Sequence, residues 1–217
     1  MVPGVGGIVN RTVFGRIAKR RPAPCGRRAP VRSEQGFTLV ELVITLVVAA
    51  VLFSVAIPSF NNLINSNRLT TGTNALVGAL NTARMEAIKR NGSVQFCSGS
   101  ATTNTTSDTL GTACGTNAGA VFVLTAPSHA TTVLAPPSTL SIPSVKVRGT
   151  IAAIRFNGTG VGYAPGSSTP FGSTSATGST VVELCSTALK ANNDIQITMA
   201  TGSIITSSSP STVATCP

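Results

Sequence analysis

The stretch "EQGFTLVELVITLVVAAVLFSVAIPSF", from Glu34 to Phe60, carries the strongest structural signal in this 217-residue chain. Its 21 residues from Phe37 to Ile57 contain one charged side chain, Glu41, four positions after Phe37. At about 1.5 Å per residue, a helix of this length extends about 31 Å, enough to cross the hydrocarbon core of a membrane. The stretch therefore predicts a helix that spans a membrane and carries a carboxylate in need of a partner.

Hydropathy alone is equally compatible with a cleaved secretory signal peptide. Such a peptide has a basic segment, an apolar core and a cleavage site between small residues. The chain offers an apolar core from Leu42 to Phe53 and a small-x-small site at Ser54-Val55-Ala56. A secreted enzyme released at that site would begin at Ile57, so the mature N-terminus distinguishes the two interpretations.

The net charge of +10 is concentrated before the apolar stretch. Residues 1–36 carry eight basic side chains and one acid, or +7, whereas the remainder carries eight basic and five acidic side chains, or +3. A basic segment directly before an apolar run holds the N-terminus in the cytoplasm while the remainder crosses the membrane. We therefore expect the C-terminal part of the chain to face outward.

The chain has five cysteines, of which Cys25 lies in the basic leader. The other four are dispersed, without a C-x-x-C pair, at Cys97, Cys114, Cys185 and Cys216. Zinc sites and redox motifs usually need close pairs, so four dispersed cysteines in an exported domain predict two disulfides. Three connectivities are open, and free buried thiols are the alternative. Pairing of neighbours along the chain would pin a polar loop and the C-terminal tail, each by about 3 kcal/mol.

Helical spacing returns after Pro58 and predicts an amphipathic second half of the helix, over residues 58–90. Its apolar stripe consists of Leu69, Leu76, Leu80, Ala83 and Ala87. Asn91-Gly92 is the predicted stop, directly after the basic residues Lys89 and Arg90, whose charges suit a helix C-terminus.

Short β-branched or apolar runs follow from residue 91 to residue 217 and predict a β-rich globular domain. The candidate strands are Ser93–Cys97, Ala120–Thr125, Thr131–Leu134, Val145–Arg148, Ile151–Phe156, Val181–Cys185, Ile195–Met199 and Ser203–Thr206. The last two strands form the clearest hairpin. Two tracts, Ser98–Gly119 and Ala164–Ser179, are predicted to be surface loops, because they are too polar and glycine-rich to pack.

The sequence predicts neither an enzyme active site nor a metal or cofactor site. His129 is the only histidine, which leaves no histidine-based metal cluster. Asp108, Glu183 and Asp194 are dispersed, and no two of them are an evident acid–base pair. The "GTGVG" at Gly158 to Gly162 lacks the third glycine and the following helix of a dinucleotide loop, so we interpret it as a turn between strands.

Gly36-Phe37-Thr38-Leu39-Val40-Glu41, followed by the apolar run, resembles the processing site of type IV prepilins and of type II secretion pseudopilins. The resemblance implies that a prepilin peptidase cuts after Gly36 on the cytoplasmic side and N-methylates Phe37. The apolar helix would then be retained as an anchor. It also implies that Glu41 of an incoming subunit pairs with the positive N-terminus at Phe37 of a neighbour. Such a partner would offset a burial penalty of up to about 2.5–3.5 kcal/mol for the carboxylate.

Residues 79–97, "ALNTARMEAIKRNGSVQFC", are similar to the helix end and first strand of GspH/FimT-like minor pilins and pseudopilins. The family pattern Arg-x-x-Glu-Ala-x-x-Arg is matched by Arg84, Glu86, Ala87 and Arg90, except that the acid lies two residues after the arginine. The resemblance implies an α+β, type IV pilin-like fold. In this fold a long N-terminal helix, with a membrane half and an amphipathic half, packs on a C-terminal antiparallel β-rich domain.

The expected domain organisation follows from these features. It comprises a basic leader at 1–36, a transmembrane or filament-core helix at 37–57, an amphipathic helix at 58–90 and an outward-facing domain at 91–217. A leader of 36 residues is long for this family. If a GTG start codon encodes Val31, the leader is the six residues 31–36, and Cys25 lies outside the protein made in the cell.

The function implied by the resemblance is that of a minor type IV pilin, a structural subunit and not an enzyme, which helps to initiate or cap the pilus. It would cross the bacterial inner membrane once, with a periplasmic globular domain, and then enter a filament. Its partners would be the prepilin peptidase and other minor and major pilins or pseudopilins, and no cofactor is implied. A minor pseudopilin of type II secretion is the alternative.

A second alternative is a DNA-binding minor pilin of natural transformation. The family's Gly-Arg-x-Arg motif corresponds here to Gly202-Ser203-Ile204-Ile205, which has no arginine to bind phosphate. Nucleic-acid binding is therefore disfavoured. A basic strip formed by Lys146, Arg148 and Arg155 is the remaining basis for it.

Overall fold

The computed structural model describes residues 36–105 and 107–217. Residues 1–35 of the predicted leader, with Cys25 and the proposed start at Val31, lie outside the described residues. The chain divides into two compact units, Met1–Leu46 and Val47–Pro217. The helices are α1 (Leu39–Arg90) and α2 (Thr109–Cys114), with a 3-10 helix at Ser138–Ser141. The strands are β1 (Val94–Phe96), β2 (Val121–Ala126), β3 (His129–Leu134), β4 (Val145–Arg148), β5 (Ile154–Phe156), β6 (Gly162–Tyr163), β7 (Ser179–Ser186), β8 (Asp194–Ala200) and β9 (Ile204–Ser207).

Helix α1 ends at the predicted place because Asn91 and Gly92 cap it. Asn91 has a φ of 46°, in the left-handed region that asparagine tolerates better than most residues. Its N–H donates to the carbonyl of Ile88 at 3.1 Å, and the N–H of Gly92 donates to the carbonyl of Ala87 at 3.1 Å. These two bonds satisfy carbonyl groups that the last helical turn would otherwise leave unpaired.

In the described part of the chain, nine strands form two antiparallel sheets. The five-stranded sheet has the order β3-β2-β1-β5-β6, and the four-stranded sheet has the order β4-β7-β8-β9. In the first sheet Val94 lies opposite both Val123 and Phe156, which brings apolar side chains from three strands together. The second sheet contains the predicted β8–β9 hairpin. A long helix followed by antiparallel sheets confirms the predicted α+β, pilin-like fold.

The hydrophobic core joins the second half of α1 to both sheets. All five residues of the predicted stripe, from Leu69 to Ala87, are buried. They belong to one cluster with Phe96 and Phe156 of the first sheet and Leu184 and Ile197 of the second. Burial of a leucine-sized side chain contributes about 1.5–3 kcal/mol, so this cluster is the main stabilising feature of the larger unit.

The predicted surface loop over Ser98–Gly119 is wrong in its inner part. This tract contains α2 and the buried side chain of Asn104. The Asn104 side chain accepts a hydrogen bond from the N–H of Ser98 at 2.8 Å and donates to the carbonyl of Gly115 at 2.9 Å. A polar tract packs when its polar groups bond to one another, which composition alone does not reveal.

The described residues contain two disulfides, and both join cysteines that are neighbours along the chain. Cys97 pairs with Cys114 and Cys185 pairs with Cys216, with Cα–Cα distances of 5.4 and 5.8 Å. The first closes the tract that contains α2, and the second ties the C-terminal tail to β7.

The turn at "GTGVG" joins two strands, as predicted. It connects β5 to β6, and the Asn157 side chain accepts hydrogen bonds from the N–H groups of Thr159 and Val161, at 3.1 Å each. An asparagine that bonds to backbone two residues ahead forms a turn without any ligand. The glycines here therefore serve the turn.

Candidate functional site

The segment before α1 contains the residues that resemble a processing site. Gly36 and Phe37 precede the helix and are exposed. Thr38 caps the helix, because its Oγ1 accepts a hydrogen bond from the N–H of Glu41 at 3.2 Å and its carbonyl accepts one from Leu42 at 3.1 Å. Thr-x-x-Glu is the sequence signature of a capping box, and sequence reasoning missed it here. The cap explains why the helix begins at Leu39.

The Glu41 side chain lies in the first turn of α1 and is exposed. Its backbone N–H is bound to the cap, whereas its carboxylate forms neither a hydrogen bond nor an ion pair with any residue that the structure describes. A negative charge in the first turn is favoured by the helix dipole, by about 0.3–1 kcal/mol. The dipole alone offsets only part of the penalty for burying a carboxylate in lipid, so the group can take a further partner.

The first half of α1 presents an apolar surface on all sides. Within the described residues, α1 is the helix that is long and apolar enough to cross a membrane, and none of its apolar window is buried. The exposed large side chains include Phe37, Leu39, Val40, Leu42, Val43, Ile44, Leu46, Val47, Val48, Val51, Leu52, Phe53, Val55 and Ile57. A core helix of a water-soluble domain would bury such residues. The surface therefore suits contact with lipid or with other apolar helices.

The family-like pattern near the end of α1 has structural roles. The Arg84 Nη1 donates to the carbonyl of Ser203 at 2.9 Å, which ties the helix to the β8–β9 turn. Ala87 is buried in the core. Glu86 pairs with Arg90 at 2.7 Å and with Lys89 at 3.5 Å. The hydrogen bond from Arg90 is the main cause of a lowered pKa for Glu86.

The basic side chains considered for DNA binding do not form a strip. Arg148 lies on β4 of the four-stranded sheet and pairs with Glu183. Arg155 lies on β5 of the five-stranded sheet and pairs with Asp108 at 2.6 Å. Each arginine is paired with a carboxylate, and Lys146 lies two residues before Arg148 on β4, so it too belongs to the sheet that does not contain Arg155. The three residues predicted to form one basic strip are therefore divided between the two sheets.

Asp108 organises the tract that contains α2. Its carboxylate accepts the N–H of Gly111 at 2.8 Å and so caps α2, and it receives two hydrogen bonds from Arg155. Arg155 also donates to Gln95, whose amide donates in turn to the carbonyl of Asn104 at 3.1 Å. Burial raises the pKa of Asp108, but the bonds from Arg155 and Gly111 outweigh it, so the net pKa lies below its ordinary value.

Glu183 and Asp194 form a carboxyl pair that sequence reasoning treated as dispersed. Asp194 lies opposite Cys185 across β7 and β8, which places it diagonally next to Glu183. Asp194 is buried, its Oδ2 accepts the Ser211 hydroxyl at 3.3 Å, and its Oδ1 has no donor among the described residues. Burial, followed by the nearby Glu183 charge, raises the pKa of Asp194. Only the strand register brings the two together.

The described residues contain no group of three or more potential metal ligands from histidine, cysteine, aspartate and glutamate. His129 is exposed and begins β3, where the sequence had suggested a loop. The Asp108 and Glu183 carboxylates are each engaged by an arginine. Asp108 and Glu183 thus make contacts within the fold, and the distinctive surface is the segment from Gly36 to Ile57.

Comparison with known protein families matches both parts of the chain. A family model described as "Type II transport protein GspH" matches residues 72–203, which is more than half of the chain. A second model, described as "Prokaryotic N-terminal methylation motif", matches residues 31–57. No curated protein and no solved structure matches. The two matched regions are the apolar segment with its processing-like motif and the domain that packs on the second half of α1.

Proposed function

Because the chain belongs to the GspH family of minor pilins and pseudopilins, we propose that it is a minor type IV pilin that helps to initiate or cap pilus assembly. The observation that carries the proposal is Glu41. It is the fifth residue of the proposed mature chain, it lies in the first turn of an exposed apolar helix, and its carboxylate has no partner within the described residues.

The first step is processing by a prepilin peptidase, with cleavage between Gly36 and Phe37 and N-methylation of Phe37. Gly36, Phe37 and Thr38 lie outside the helix and are exposed, which supports access of a peptidase to this bond. The match to the methylation motif supports the same assignment. Cleavage would create a positively charged N-terminus four residues from Glu41.

The processed chain is anchored in the bacterial inner membrane by residues 37–57. Residues 58–217, comprising the second half of α1 and the β-rich domain, lie in the periplasm, and the N-terminus remains cytoplasmic. The two disulfides support this orientation, because disulfides form and persist in the periplasm. The basic residues before the apolar run support it as well.

Assembly then moves the subunit from lipid into a filament of other minor and major pilins. The apolar half of α1 has apolar surroundings both in lipid and in the filament, so assembly changes the environment of most of its side chains little. Glu41 is the exception, since its carboxylate gains the N-terminus at Phe37 of a neighbouring subunit. The pair would convert an unfavourable buried charge into a specific contact that sets the register between subunits.

A minor pseudopilin of type II secretion is the second candidate, and the description of the matching family model favours it. Deletion of the gene distinguishes the two functions. Loss of surface pili with normal protein export supports the pilin, whereas accumulation of exported enzymes in the periplasm with normal pili supports the pseudopilin.

Complementation of the deletion tests the proposed assembly contact. A Glu41→Ala variant should be cleaved and membrane-bound but absent from purified filaments, because it lacks the carboxylate that meets the neighbouring N-terminus. Glu86→Ala is the control, since it removes a glutamate from the other end of the same helix, where the carboxylate is half-buried and already paired with Arg90. Incorporation of both variants at the wild-type level would contradict the proposed role of Glu41.

A further inference from the structure

A groove lies beside α1 just beyond the apolar run. Its volume is about 670 Å³. One wall is formed by the helix, through Pro58, Asn62, Leu63 and Ser66, and the other by the turn between β7 and β8, residues 188–192. All of these residues belong to the larger unit. The groove serves no step described above, and its position relative to the apolar run suggests a ligand.

The helix wall begins one residue after Ile57, where the apolar run ends. At about 1.5 Å per residue, the wall from Pro58 to Ser66 extends from about 2 to about 14 Å beyond that end, and less if the helix is tilted. The headgroup layer on each side of a bilayer is about 5–8 Å thick. With residues 37–57 in the hydrocarbon core, the groove therefore begins at the depth of the lipid headgroups and extends past them.

The chemistry of the groove suits an anion. Lys190 is the single charged residue in its walls, is exposed, and forms no ion pair within the described residues. The backbone N–H groups of Lys190 and Ala191 donate no hydrogen bond to the described part of the chain. Neither wall contains a carboxylate that would repel a phosphate. Asn62 and Ser66 add polar side chains on the helix side.

We propose that this groove receives the headgroup of an anionic phospholipid, with the Lys190 ammonium group against its phosphate. The contact would dock the turn between β7 and β8 on the membrane surface and orient the β-rich domain before assembly. This inference rests on the proposed membrane anchoring. Entry into a filament would exchange the lipid contact for contacts with other subunits, so the docking belongs to the stage before assembly.

Amine labelling of the full chain in lipid nanodiscs tests the inference. Labelling of Lys190, quantified by mass spectrometry, should be about fivefold slower in discs with phosphatidylglycerol than in discs with phosphatidylcholine alone. The difference should disappear in about 0.5 M salt, where screening is nearly complete. Lys89 is the internal control, because it lies in the last turn of α1, at the end of the helix away from the groove.

Two results would overturn the inference in distinguishable ways. Equal labelling of Lys190 in both lipids, in protein that remains with the discs, would exclude the headgroup contact and leave the anchor intact. Failure of the chain to remain with discs of either composition would contradict the anchor itself, and the inference with it. Protection of Lys190 that requires a second pilin and not lipid would assign the groove to a subunit contact.

A pair of variants separates charge from shape. Backbone amide exchange in residues 187–193 should be slower in anionic discs than in neutral ones for the wild type and for Lys190→Arg. For Lys190→Gln the two rates should be equal, since the neutral side chain cannot attract phosphate. Slowed exchange in anionic discs for all three proteins would contradict a role for the Lys190 charge.

Discussion

The first half of α1, residues 39–57, exposes its large apolar side chains, whereas in the second half, residues 58–90, a regular stripe of them is buried. Leu46 is 62% exposed, and Leu80 is fully buried. The first half is apolar around its whole circumference, which suits a lipid or filament environment. The second half buries one apolar face from Leu69 to Ala87, which suits packing on a globular domain, and exposes Phe60, Leu63, Met85 and Ile88. One continuous helix thus carries two surface patterns for two environments.

The largest expected effect is in the buried half. Leu80→Ala should lower the free energy of unfolding of the globular domain by about 3 to 5 kcal/mol, because it leaves a cavity in the core shared with both sheets. Leu46→Ala removes the same atoms from an exposed position and should change it by less than about 0.5 kcal/mol. Denaturant unfolding in detergent measures both. Similar losses for the two variants would break the distinction between the halves.

The next effect concerns the domain on which the second half packs. Replacing both Cys185 and Cys216 by serine should destabilise the domain by about 3 to 4 kcal/mol, because the disulfide closes a loop of 31 residues. The membrane-bound fraction should be unchanged, since the first half of α1 is unaltered. Fractionation and thermal unfolding of the variant would check the two expectations. Release of the variant from the membrane would show that the halves do not act independently.

A charge in the exposed half should weaken membrane insertion and leave the stability of the globular domain unchanged. Val48→Arg places arginine near the centre of the apolar run and should disfavour insertion by about 2.5 to 3.5 kcal/mol, while domain stability stays the same. Asn74→Arg, on the exposed face of the second half, should alter neither property. Resistance to extraction by alkaline carbonate measures insertion. Stable insertion of the Val48→Arg chain would contradict assignment of this half to the membrane.

The smallest expected effect is a pH dependence confined to the globular domain. The pKa of Asp108 is lowered in the fold, so its contribution to stability is present above its ordinary pKa of 3.8 and is lost as pH falls through the folded value. Asp108→Asn should therefore flatten acid destabilisation, by less than about 1 kcal/mol because solvent screens the partly exposed pair. Unfolding curves of wild type and variant from pH 6 down to about pH 2 measure this, because the loss is expected below 3.8.

Asp194 should contribute a pH dependence of stability that is opposite in sign to that of Asp108. Its pKa is raised, so its contribution is present below 3.8 and is lost as pH rises through the folded value. Asp194→Asn should be at least as stable as the wild type at pH 7, since it removes a buried charge next to Glu183. A clear loss of stability at pH 7 would show that the carboxylate is needed in its ionised form.

Local patterns were sufficient to predict some elements and not others. The stripe from Leu69 to Ala87, the stop at Asn91-Gly92 and the β8–β9 hairpin depend on residues close in sequence, and the structure contains all three. Helix α2 was missed because its cap, Asp108, is held by Arg155, 47 residues away. The Glu183–Asp194 pair was missed because it exists only in the register of β7 against β8.

In the candidate site, too, features that depend on neighbouring residues could be predicted, and features that depend on distant residues could not. The spacing of Phe37 and Glu41 could be read from sequence, and so could the length of the apolar run. The groove at Lys190 could not be predicted, because its two walls are more than 100 residues apart in the chain. The same holds for the failure of Arg148 and Arg155 to form a basic strip, since only the sheet order separates them.

The central claim is that the exposed half of α1 is a retained, processed anchor, and the mature N-terminus tests it most directly. Mass spectrometry of the protein purified from membranes of its host should find an N-terminal peptide that begins at N-methylated Phe37 and includes Glu41. A mature protein that begins at Ile57 would contradict the account, because the apolar segment would then be a discarded signal peptide.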